Sequence, residues 1–248
     1  MYATDNPDWL TADWPAPTKV RTLITTRKGG VSEPPYDSFN LGTHVGDLPE
    51  HVSLNRETLR RYVPEEPAWL SQVHGTRVVD AAEVSETPPE ADASFSRTPD
   101  AVCVIMTADC LPVLLANRDG SVVGAAHAGW RGLCDGVIEA AVAAMNEPAA
   151  NLMAWLGPAI GPDAFEVGAE VRAAFMAHDP AAAQAFTDIG EGKYLADIYA
   201  LARQRLTALG ITEVYGGDFC TVIDRERFFS YRRDRTTGRM ASLIWIEP

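Results

Sequence analysis

The chain has 248 residues and a formal net charge of −13 at pH 7. Hydrophobic residues make up 46% of it and charged residues 22%, the balance of a globular protein with a core large enough to fold without disulfides or a structural metal. Because a surface this acidic repels a phosphate backbone or an anionic membrane, we expect neither nucleic acid nor lipid as a partner. A small-molecule substrate is expected instead, and the oligomeric state stays open.

The compartment is predicted from what the sequence lacks. The opening residues, MYATDNPDWLTADWPAPTKV, contain neither the cationic segment nor the apolar stretch of a secretory signal. No apolar run reaches the length of about 20 residues that spans a membrane. We therefore expect a cytoplasmic protein with reduced cysteines. None of the cysteines forms a C-x-x-C pair, which argues against a zinc ribbon or a thioredoxin motif.

The first half of the chain predicts strands, a long loop and one helix. The β-branched run Val20–Thr26 predicts a strand. The loop that follows is rich in Gly, Pro, Ser and Asp, and loops of this length are often functional. Apolar residues at Val52, Leu59 and Tyr62 have helical spacing, with Ser53 as a possible N-cap. The segments PAWLSQ and TRVVDA, on either side of VHG, predict a pair of strands.

The second half predicts a hairpin followed by helices that come between further strands. The runs AVCVIMTADC, PVLLANR and SVVGAAH predict strands, and RDG is a hairpin turn signal between the last two. An acidic, Pro-rich stretch before them, EVSETPPEADASFSRTPDA, is expected to be a surface excursion. Helices are predicted for LCDGVIEAAVAAM, EVGAEVRAAFMAH and DIYALARQRLTALG, the last with a glycine cap, and strands for NLMAWL, EVYGG and SLIWI.

The order of these elements predicts the fold class. Strands come in runs and do not alternate strictly with helices, which favours an α+β fold with mixed or antiparallel sheets over a doubly wound parallel fold. We expect one domain over residues 1–248, with residues 1–19 as an N-terminal extension.

A candidate site begins in Met106–Gly132, where Cys110 and His127 each stand at the end of an apolar run. We nominate His74, in SQVHGTRVV, as their third partner. The three residues form a His₂Cys set, and catalytic zinc sites use three such protein ligands and leave a fourth position open. Ligands spread this widely along the chain suit a site assembled from strand ends better than a structural zinc knuckle.

The same residues also permit a mechanism without a metal. Cys110 could be a nucleophile with His127 or His74 as its base, and Asp109 could orient that base or tune the site. The residues alone leave the two mechanisms open. The remaining cysteines are expected to pack in apolar surroundings, as buried cysteines usually do: Cys103, Cys134 and Cys220. The remaining histidines are assigned no metal role, although the first lies in a loop that could cover the site: His44, His51 and His178.

Several polar residues could bind the substrate. Arg27 and Arg131 each stand near a turn glycine, and a guanidinium offers a planar fork of donors that matches phosphate or carboxylate. Arg232 and Arg233, in SYRRD, are weaker candidates for the same task. Two further residues flank probable site loops and could bind substrate amides or hydroxyls, or hold those loops: Asn40 and Gln72. Glu166 stands near the start of a helix after a Gly/Pro turn, and it could be structural or could contact the substrate.

Six motifs in order resemble one protein family: TTRKGGVSEPPYDSFNLG, SQVHG, TADCLPVLL, AAHAGWRG, GPAIGPDAFEVG and FFSYRRDRTTGRMASLIWI. They resemble the laccase-domain family, also called the multicopper polyphenol oxidase or purine nucleoside phosphorylase family, to which the peptidoglycan editing factor belongs. The resemblance implies a single α+β domain with layered α/β/β/α architecture and mixed sheets. It places the family's metal ligands on His74, Cys110 and His127. It also supports roles near the pocket for Arg27, Asn40, Asp109, Arg131 and Arg232.

The resemblance allows several functions, and we favour a zinc-dependent purine nucleoside enzyme. It would phosphorolyse adenosine, inosine, guanosine and methylthioadenosine and would deaminate adenosine, with Asp109 as acid or base. Arg27 and Arg131 would bind phosphate. The alternative is a cytoplasmic amidase that removes a misincorporated amino acid from a UDP-muramyl precursor of peptidoglycan, with Cys110 as nucleophile or ligand.

Two other functions are expected less. A copper polyphenol oxidase would use the His₂Cys set as a blue-copper centre. Only three scattered histidines would then remain for an oxygen-reducing cluster, so we doubt copper here. A zinc-regulated interaction module without catalysis is the last alternative.

Overall fold

The elements of the fold are taken from a computed structural model that describes residues 6–248. The strands are β1 (Val20–Ile24), β2 (Val78–Asp80), β3 (Ala93–Ser96), β4 (Cys103–Thr107), β5 (Leu111–Asn117), β6 (Val123–Ala128), β7 (Leu152–Leu156), β8 (Glu166–Gly168), β9 (Phe186–Gly190), β10 (Lys193–Ala196), β11 (Glu213–Gly216) and β12 (Met240–Ile246). The helices are α1 (Pro49–Arg60), α2 (Trp130–Asp135), α3 (Val137–Met145), α4 (Ala169–His178), α5 (Ile198–Ala208) and α6 (Tyr231–Asp234).

Two sheets stack face to face in the middle of the fold. The larger is a mixed sheet in the order β11-β7-β5-β6-β3-β2, in which β11/β7 and β2/β3 are parallel pairs and the other pairs are antiparallel. The smaller is antiparallel, in the order β1-β12-β4. A third, small sheet of β8, β10 and β9 lies beside helix α4.

Alternating side chains create the layers. In β5, Val113 and Leu115 pack into the core shared with helices α2 to α5, whereas Leu114 and Ala116 face the smaller sheet. In β12, Ile244 faces the larger sheet, and Leu243 packs outward with residues of helix α1. The layers are therefore helix, sheet, sheet and helices. This confirms the predicted α+β fold with layered α/β/β/α architecture and mixed sheets.

Several local predictions are confirmed and others are wrong. The strand at Val20, the hairpin around RDG and the helix after residue 48 are present. Helix α1 begins at Pro49 after Leu48, so Ser53 is inside the helix and is not its N-cap. The segment PAWLSQ does not pair with TRVVDA. Ala68 bridges Cys103 of β4 instead, and β2 pairs with β3, a strand inside the stretch predicted to be a surface excursion.

The remaining differences are local. The helix predicted over LCDGVIEAAVAAM is divided into α2 and α3 by Gly136, whose φ of 100° is left-handed. Residues 6–19 of the predicted N-terminal extension contact the smaller sheet and its outer layer: Leu10 bridges Ile24, and the Trp9 and Phe39 rings lie 5.0 Å apart. None of the helices in residues 6–248 combines the length and apolarity that crossing a membrane requires.

Candidate metal centre

The open end of the β5–β6 hairpin brings Cys110 and His127 together. Because the two strands are antiparallel, the first residues of β5 lie beside the last residues of β6, and Pro112 is directly opposite His127. Cys110 precedes β5, so its thiol stands next to the buried His127 at the same end of the sheet. Two neighbouring strands therefore end in reactive side chains because those ends form one site.

His74 reaches this site from the loop before β2. The His74 Nε2 atom lies 3.8 Å from the Cys110 Sγ atom, and the rings of His74 and His127 have centroids 4.8 Å apart. One ligand atom from each of the three residues lies within 4.8 Å of the others. The three residues thus form a group that could hold a metal ion, and residues 6–248 contain no second such group of His, Cys, Asp or Glu.

Gly129, just after β6, leaves room for this group. A Cβ atom at that position would lie 2.9 Å from His74 Cδ2 and 3.0 Å from Cys110 Sγ. Any side chain there would push His74 or Cys110 away. The glycine of the GWRG motif is therefore needed so that the three donor side chains can converge.

A buried aspartate that sequence reasoning missed supports two of the three donors. Asp92, which is fully buried, accepts a hydrogen bond from His127 Nδ1 at 2.8 Å. Its carboxylate also accepts from the backbone N–H groups of Val73, His74 and Gly75 at 3.2, 2.9 and 2.7 Å. A proton held on Nδ1 of His127 leaves Nε2 as its free ligand atom.

The Asp92 contacts also fix the His74 loop. His74 itself has a left-handed φ of 61°, which is uncommon for a residue other than glycine. Three successive N–H groups converge on one carboxylate and hold this conformation. In the sequence, Asp92 stands among other acidic residues just before β3, and no local pattern distinguishes it from them.

The electrostatics of the site favour a thiolate beside a charged imidazole. Burial alone would raise the pKa of Cys110, but the charge of His127 and hydrogen bonds with both histidines lower it to about 6. Burial would lower the pKa of His127, but the Cys110 thiolate and Asp92 raise it to about 9. Without a metal, the pair is therefore ionised at neutral pH. This donor set, one thiolate and two imidazoles with one of them exposed, suits zinc or copper.

A polar cavity of about 370 Å³ opens over the donors. It is lined by His44, Gln72, His74, Met106, Thr107, Ala108, Cys110, His127, Tyr231 and Arg239. Gln72 holds the backbone of Met106 in the cavity wall, because its side chain donates to Met106 O and accepts from Met106 N, both at 2.8 Å. His44 lines this cavity, as expected for its loop, and so do two residues without a predicted role there, Tyr231 and Arg239.

A smaller, more apolar cavity of about 200 Å³ shares Ala108, Cys110 and Tyr231 with the polar cavity. It is lined by Ala108, Asp109, Cys110, Trp130, Ile160, Phe165, Ile198, Tyr231 and Arg232. Asp109 accepts hydrogen bonds from Thr221 Oγ1 and from the backbone N–H of Arg232, each at 2.6 Å. The Arg232 guanidinium lies 5.6 Å from the Phe165 ring centroid and donates to the carbonyl of Glu166. Cys110 and Tyr231 border both cavities.

The other predicted polar residues lie outside these cavities. Arg27 forms an ion pair with Asp37 at 3.1 Å and lines a separate surface cavity. Arg131 is exposed beside the ring of Trp130. Asn40 is fully buried and hydrogen-bonds to Gly42, Asp47 and the backbone of Arg239.

The remaining cysteines, arginine and histidines have structural surroundings. Cys103 is fully buried, and burial raises its pKa to about 12. Cys134 is buried in the helical core, and Cys220 Sγ accepts a hydrogen bond from Gly161 N. Arg233 donates to the carbonyls of residues 221, 222 and 228. His51 lies 3.8 Å from Asp47, and His178 ends helix α4.

Known proteins resemble this chain along most of its length. The purine nucleoside phosphorylase YfiH of Escherichia coli K12 is 56% identical over 239 residues, which cover 96% of this chain and 98% of that protein. The purine nucleoside phosphorylase SCO2081 of Streptomyces coelicolor is 41% identical over 90% of this chain and 94% of its own length. Neisseria meningitidis protein NMB0706 is 57% identical in sequence to this chain. Its crystal structure matches the fold with a TM-score of 0.95, and the match covers 97% of this chain and all of that one.

A family profile matches the chain as well. It is described as multi-copper polyphenol oxidoreductase laccase and matches residues 21–247. This range includes all three donors and both cavities. The chain is therefore a member of the multi-copper polyphenol oxidoreductase laccase family.

Proposed function

We propose that this chain is a cytoplasmic, zinc-dependent purine nucleoside enzyme. It phosphorolyses adenosine, inosine, guanosine and methylthioadenosine, and it deaminates adenosine. The observation that carries the proposal is the His74–Cys110–His127 group, which lines the polar cavity and borders the apolar cavity through Cys110. The nucleoside assignment is supported by relatives named purine nucleoside phosphorylase that share more than half of their residues with this chain.

Zinc is the metal that the donor set and its surroundings support. A multicopper oxidase needs a further cluster of ligands to reduce oxygen, and residues 6–248 contain no second group of three donors. Zinc bound by three protein ligands would supply Lewis acidity and lower the pKa of a water in its open position. His74, Cys110 and His127 would hold it, and Asp92 orients His127 for that task.

The two cavities suit the two parts of a nucleoside. Trp130 and Phe165 offer aromatic surface to a planar base in the apolar cavity. The polar cavity offers His44 and Gln72 near the place where a sugar would extend. Asp109 lines the apolar cavity next to Cys110, and we assign it the acid or base role that deamination requires. Both of its carboxylate oxygens already accept hydrogen bonds, so it also holds Arg232 and the start of α6 in place.

Product analysis by chromatography tests this proposal. Zinc-loaded protein is incubated with adenosine, with and without phosphate, beside a Cys110→Ala control. We expect adenine only when phosphate is present, inosine in both cases, and neither product from the control. Absence of turnover of adenosine, inosine, guanosine and methylthioadenosine by the zinc-loaded protein would contradict the proposal.

The amidase alternative is favoured by the position of the Cys110 thiol, which lies beside His127 and 3.8 Å from His74 Nε2, contacts that lower its pKa. A thiol with a pKa of about 6 is ionised at neutral pH and is a competent nucleophile when no metal binds it. The nucleoside assay separates the two functions when it is repeated with a UDP-muramyl peptide as substrate. Release of an amino acid by metal-free protein, with no nucleoside turnover, would favour the amidase.

A further inference from the structure

Among the residues that the structure describes, Arg239 is the single arginine that lines the polar cavity. Arg239 is half-buried and lines the cavity of the His74–Cys110–His127 group. Its Nη1 atom donates to the carbonyls of Thr237 and Gly238 at 3.1 and 3.0 Å. Within residues 6–248, its Nε and Nη2 atoms have no hydrogen-bond partner, and its guanidinium forms no ion pair.

The backbone and stem of Arg239 are held firmly. Its N–H donates to the buried Asn40 Oδ1 at 2.9 Å, and its carbonyl accepts from Leu41 N at 3.2 Å. The next residue, Met240, pairs with Thr107 at the end of β4, which places Arg239 beside the turn that carries Cys110. A Cβ atom on Gly42 would lie 2.8 Å from Arg239 Cγ, so the stem packs closely on that glycine. This guanidinium is positioned before any ligand arrives.

The cavity around Arg239 favours an anion. Burial lowers the pKa of Arg239, and the negative charges of Cys110 and Asp109 offset only part of that effect. An anion bound at its free donors would stabilise the charged guanidinium further. His44, on the loop over the cavity, has its pKa lowered by burial and by the charges of Arg239 and Arg56, so it is neutral at pH 7 and can donate or accept a hydrogen bond. A bound metal ion would add further positive charge.

Arg27 and Arg131, the two arginines favoured by their sequence context, are less suited than Arg239 to bind an anion in this cavity. Arg27 already has its counter-ion in Asp37, at 3.1 Å. Arg131 is exposed, and neither of them lines the cavity. Arg239 therefore combines three properties that an anion site needs: burial, a free fork of donors and a place beside the reactive group.

We propose that Arg239, with His44 beside it, binds inorganic phosphate in the polar cavity. The assignment of phosphate as co-substrate rests on the proposed function, whereas the binding itself can be measured without turnover. In phosphorolysis, an oxygen of hydrogen phosphate attacks C1′ of the ribose and the bond from C1′ to the purine nitrogen breaks. The products are ribose 1-phosphate and the free base, and the proton of hydrogen phosphate ends on the nitrogen that departs.

The place of Arg239 fits this reaction. Tyr231 and Cys110 border both cavities, so a base in the apolar cavity and a phosphate at Arg239 would occupy adjoining spaces. The sugar between them would lie near the His74–Cys110–His127 group. In this arrangement, Arg239, which immediately precedes β12, binds phosphate, and residues that follow β6 and β7 bind the base.

Calorimetric titration of zinc-loaded protein with inorganic phosphate tests the inference. We expect Arg239→Gln to weaken phosphate binding by about 10- to 100-fold, because a charged bidentate partner is lost. Arg239→Lys retains the charge but loses the fork, and we expect about a 3- to 10-fold loss. Arg131→Gln removes the same charge from an exposed position and should change the affinity less than about 2-fold. Zinc content and thermal melting of each variant show that the fold and the metal group remain.

The outcomes separate this inference from the proposed function. Loss of phosphate binding in Arg239→Gln supports the anion site even if no nucleoside is turned over. Unchanged phosphate affinity in Arg239→Gln, or a loss that occurs in Arg131→Gln instead, overturns it even if the enzyme phosphorolyses nucleosides. A parallel titration with uridine diphosphate distinguishes the sources of phosphate. If the diphosphate binds through Arg239 and inorganic phosphate does not, the assignment to phosphorolysis is wrong.

Discussion

The two ends of the β5–β6 hairpin are built in different ways. At the turn, the side chain of Asn117 makes hydrogen bonds only to residues close to it in the chain. Its Oδ1 atom accepts from the N–H groups of Ser121 and Val122, and its Nδ2 atom donates to Ser121 Oγ. At the open end, His127 is held by Asp92, 35 positions away, and Asp109 by Thr221, 112 positions away. The turn is a local structure, whereas the metal centre is assembled from distant segments. Changes at the turn should therefore alter stability alone, whereas changes to the three donors or to Asp92 at the open end should alter metal binding.

The largest effect is expected from Cys110→Ala. This substitution removes the only thiolate of the group, and two imidazoles without it should lose almost all of the bound zinc at equilibrium. Metal analysis of purified protein after dialysis against a weak chelator measures the effect. Cys220→Ala is the matched control, because that thiol only accepts a hydrogen bond from Gly161 N and should leave the zinc content unchanged. Full zinc in Cys110→Ala would show that the site is assigned wrongly.

Asp92→Asn should weaken zinc binding by about 10- to 100-fold, the usual effect of losing a carboxylate that orients a histidine ligand. Each oxygen of Asp92 accepts from two donors, Oδ1 from His74 N and His127 Nδ1 and Oδ2 from the N–H groups of residues 73 and 75. An asparagine nitrogen cannot accept hydrogen bonds, so one of these two pairs must lose its acceptor. Zinc competition with a chromophoric chelator measures this loss.

Asp109→Asn provides the comparison. This buried carboxylate is also adjacent to the site, but it contacts Thr221 and the backbone of Arg232 rather than a metal ligand. We expect zinc affinity within about 3-fold of the wild type. Equal losses in the two aspartate variants would mean that the support given to His127 is not specific.

The reactivity of Cys110 should depend on pH in the metal-free protein. Its pKa of about 6 predicts that the thiolate is present above pH 6 and lost below it, so alkylation should slow as the pH falls through that value. Cys103, whose pKa is raised to about 12 by burial, should remain unlabelled at neutral pH. Peptide mass spectrometry after timed iodoacetamide treatment measures both. A midpoint near the ordinary thiol value of about 8.5 for Cys110 would contradict the ion pair with His127.

The smallest effect is expected at the turn. Asn117→Ala removes hydrogen bonds that stay within the hairpin, and we expect a loss of about 1–2 kcal/mol in the free energy of unfolding. Urea denaturation measures this loss, and zinc content should stay at the wild-type value. A fall in zinc content would show that the two ends of the hairpin are coupled.

The same contrast explains how much the sequence predicts. The hairpin follows from local signals, since a turn dipeptide stands between two apolar runs. The three metal donors can also be predicted from the sequence. Cys110 and His127 end those apolar runs, and the family resemblance selects the same set of three residues. The fold class follows from the order of the elements.

What the sequence could not predict depends on contacts between distant positions. In the sequence, Asp92 is one of several nearby acidic residues, and only the fold places it between His127 and the His74 loop. Arg239 depends on Asn40, 199 positions earlier, for its place at the cavity. The glycines near Arg27 favour it as an anion-binding residue over Arg239, but the fold pairs its guanidinium with the carboxylate of Asp37. Local spacing can indicate a reactive residue, but it cannot show which charges are left without a partner.

The most direct test of the metal centre is X-ray absorption spectroscopy of the zinc-loaded protein at the zinc edge. The account predicts one sulfur at about 2.3 Å and two imidazole nitrogens at about 2.0–2.1 Å, with one further light atom in the open position. The sulfur contribution should disappear in Cys110→Ala. A shell of nitrogen and oxygen alone, or one with two or more sulfurs, would contradict the assignment of His74, Cys110 and His127 as the metal ligands.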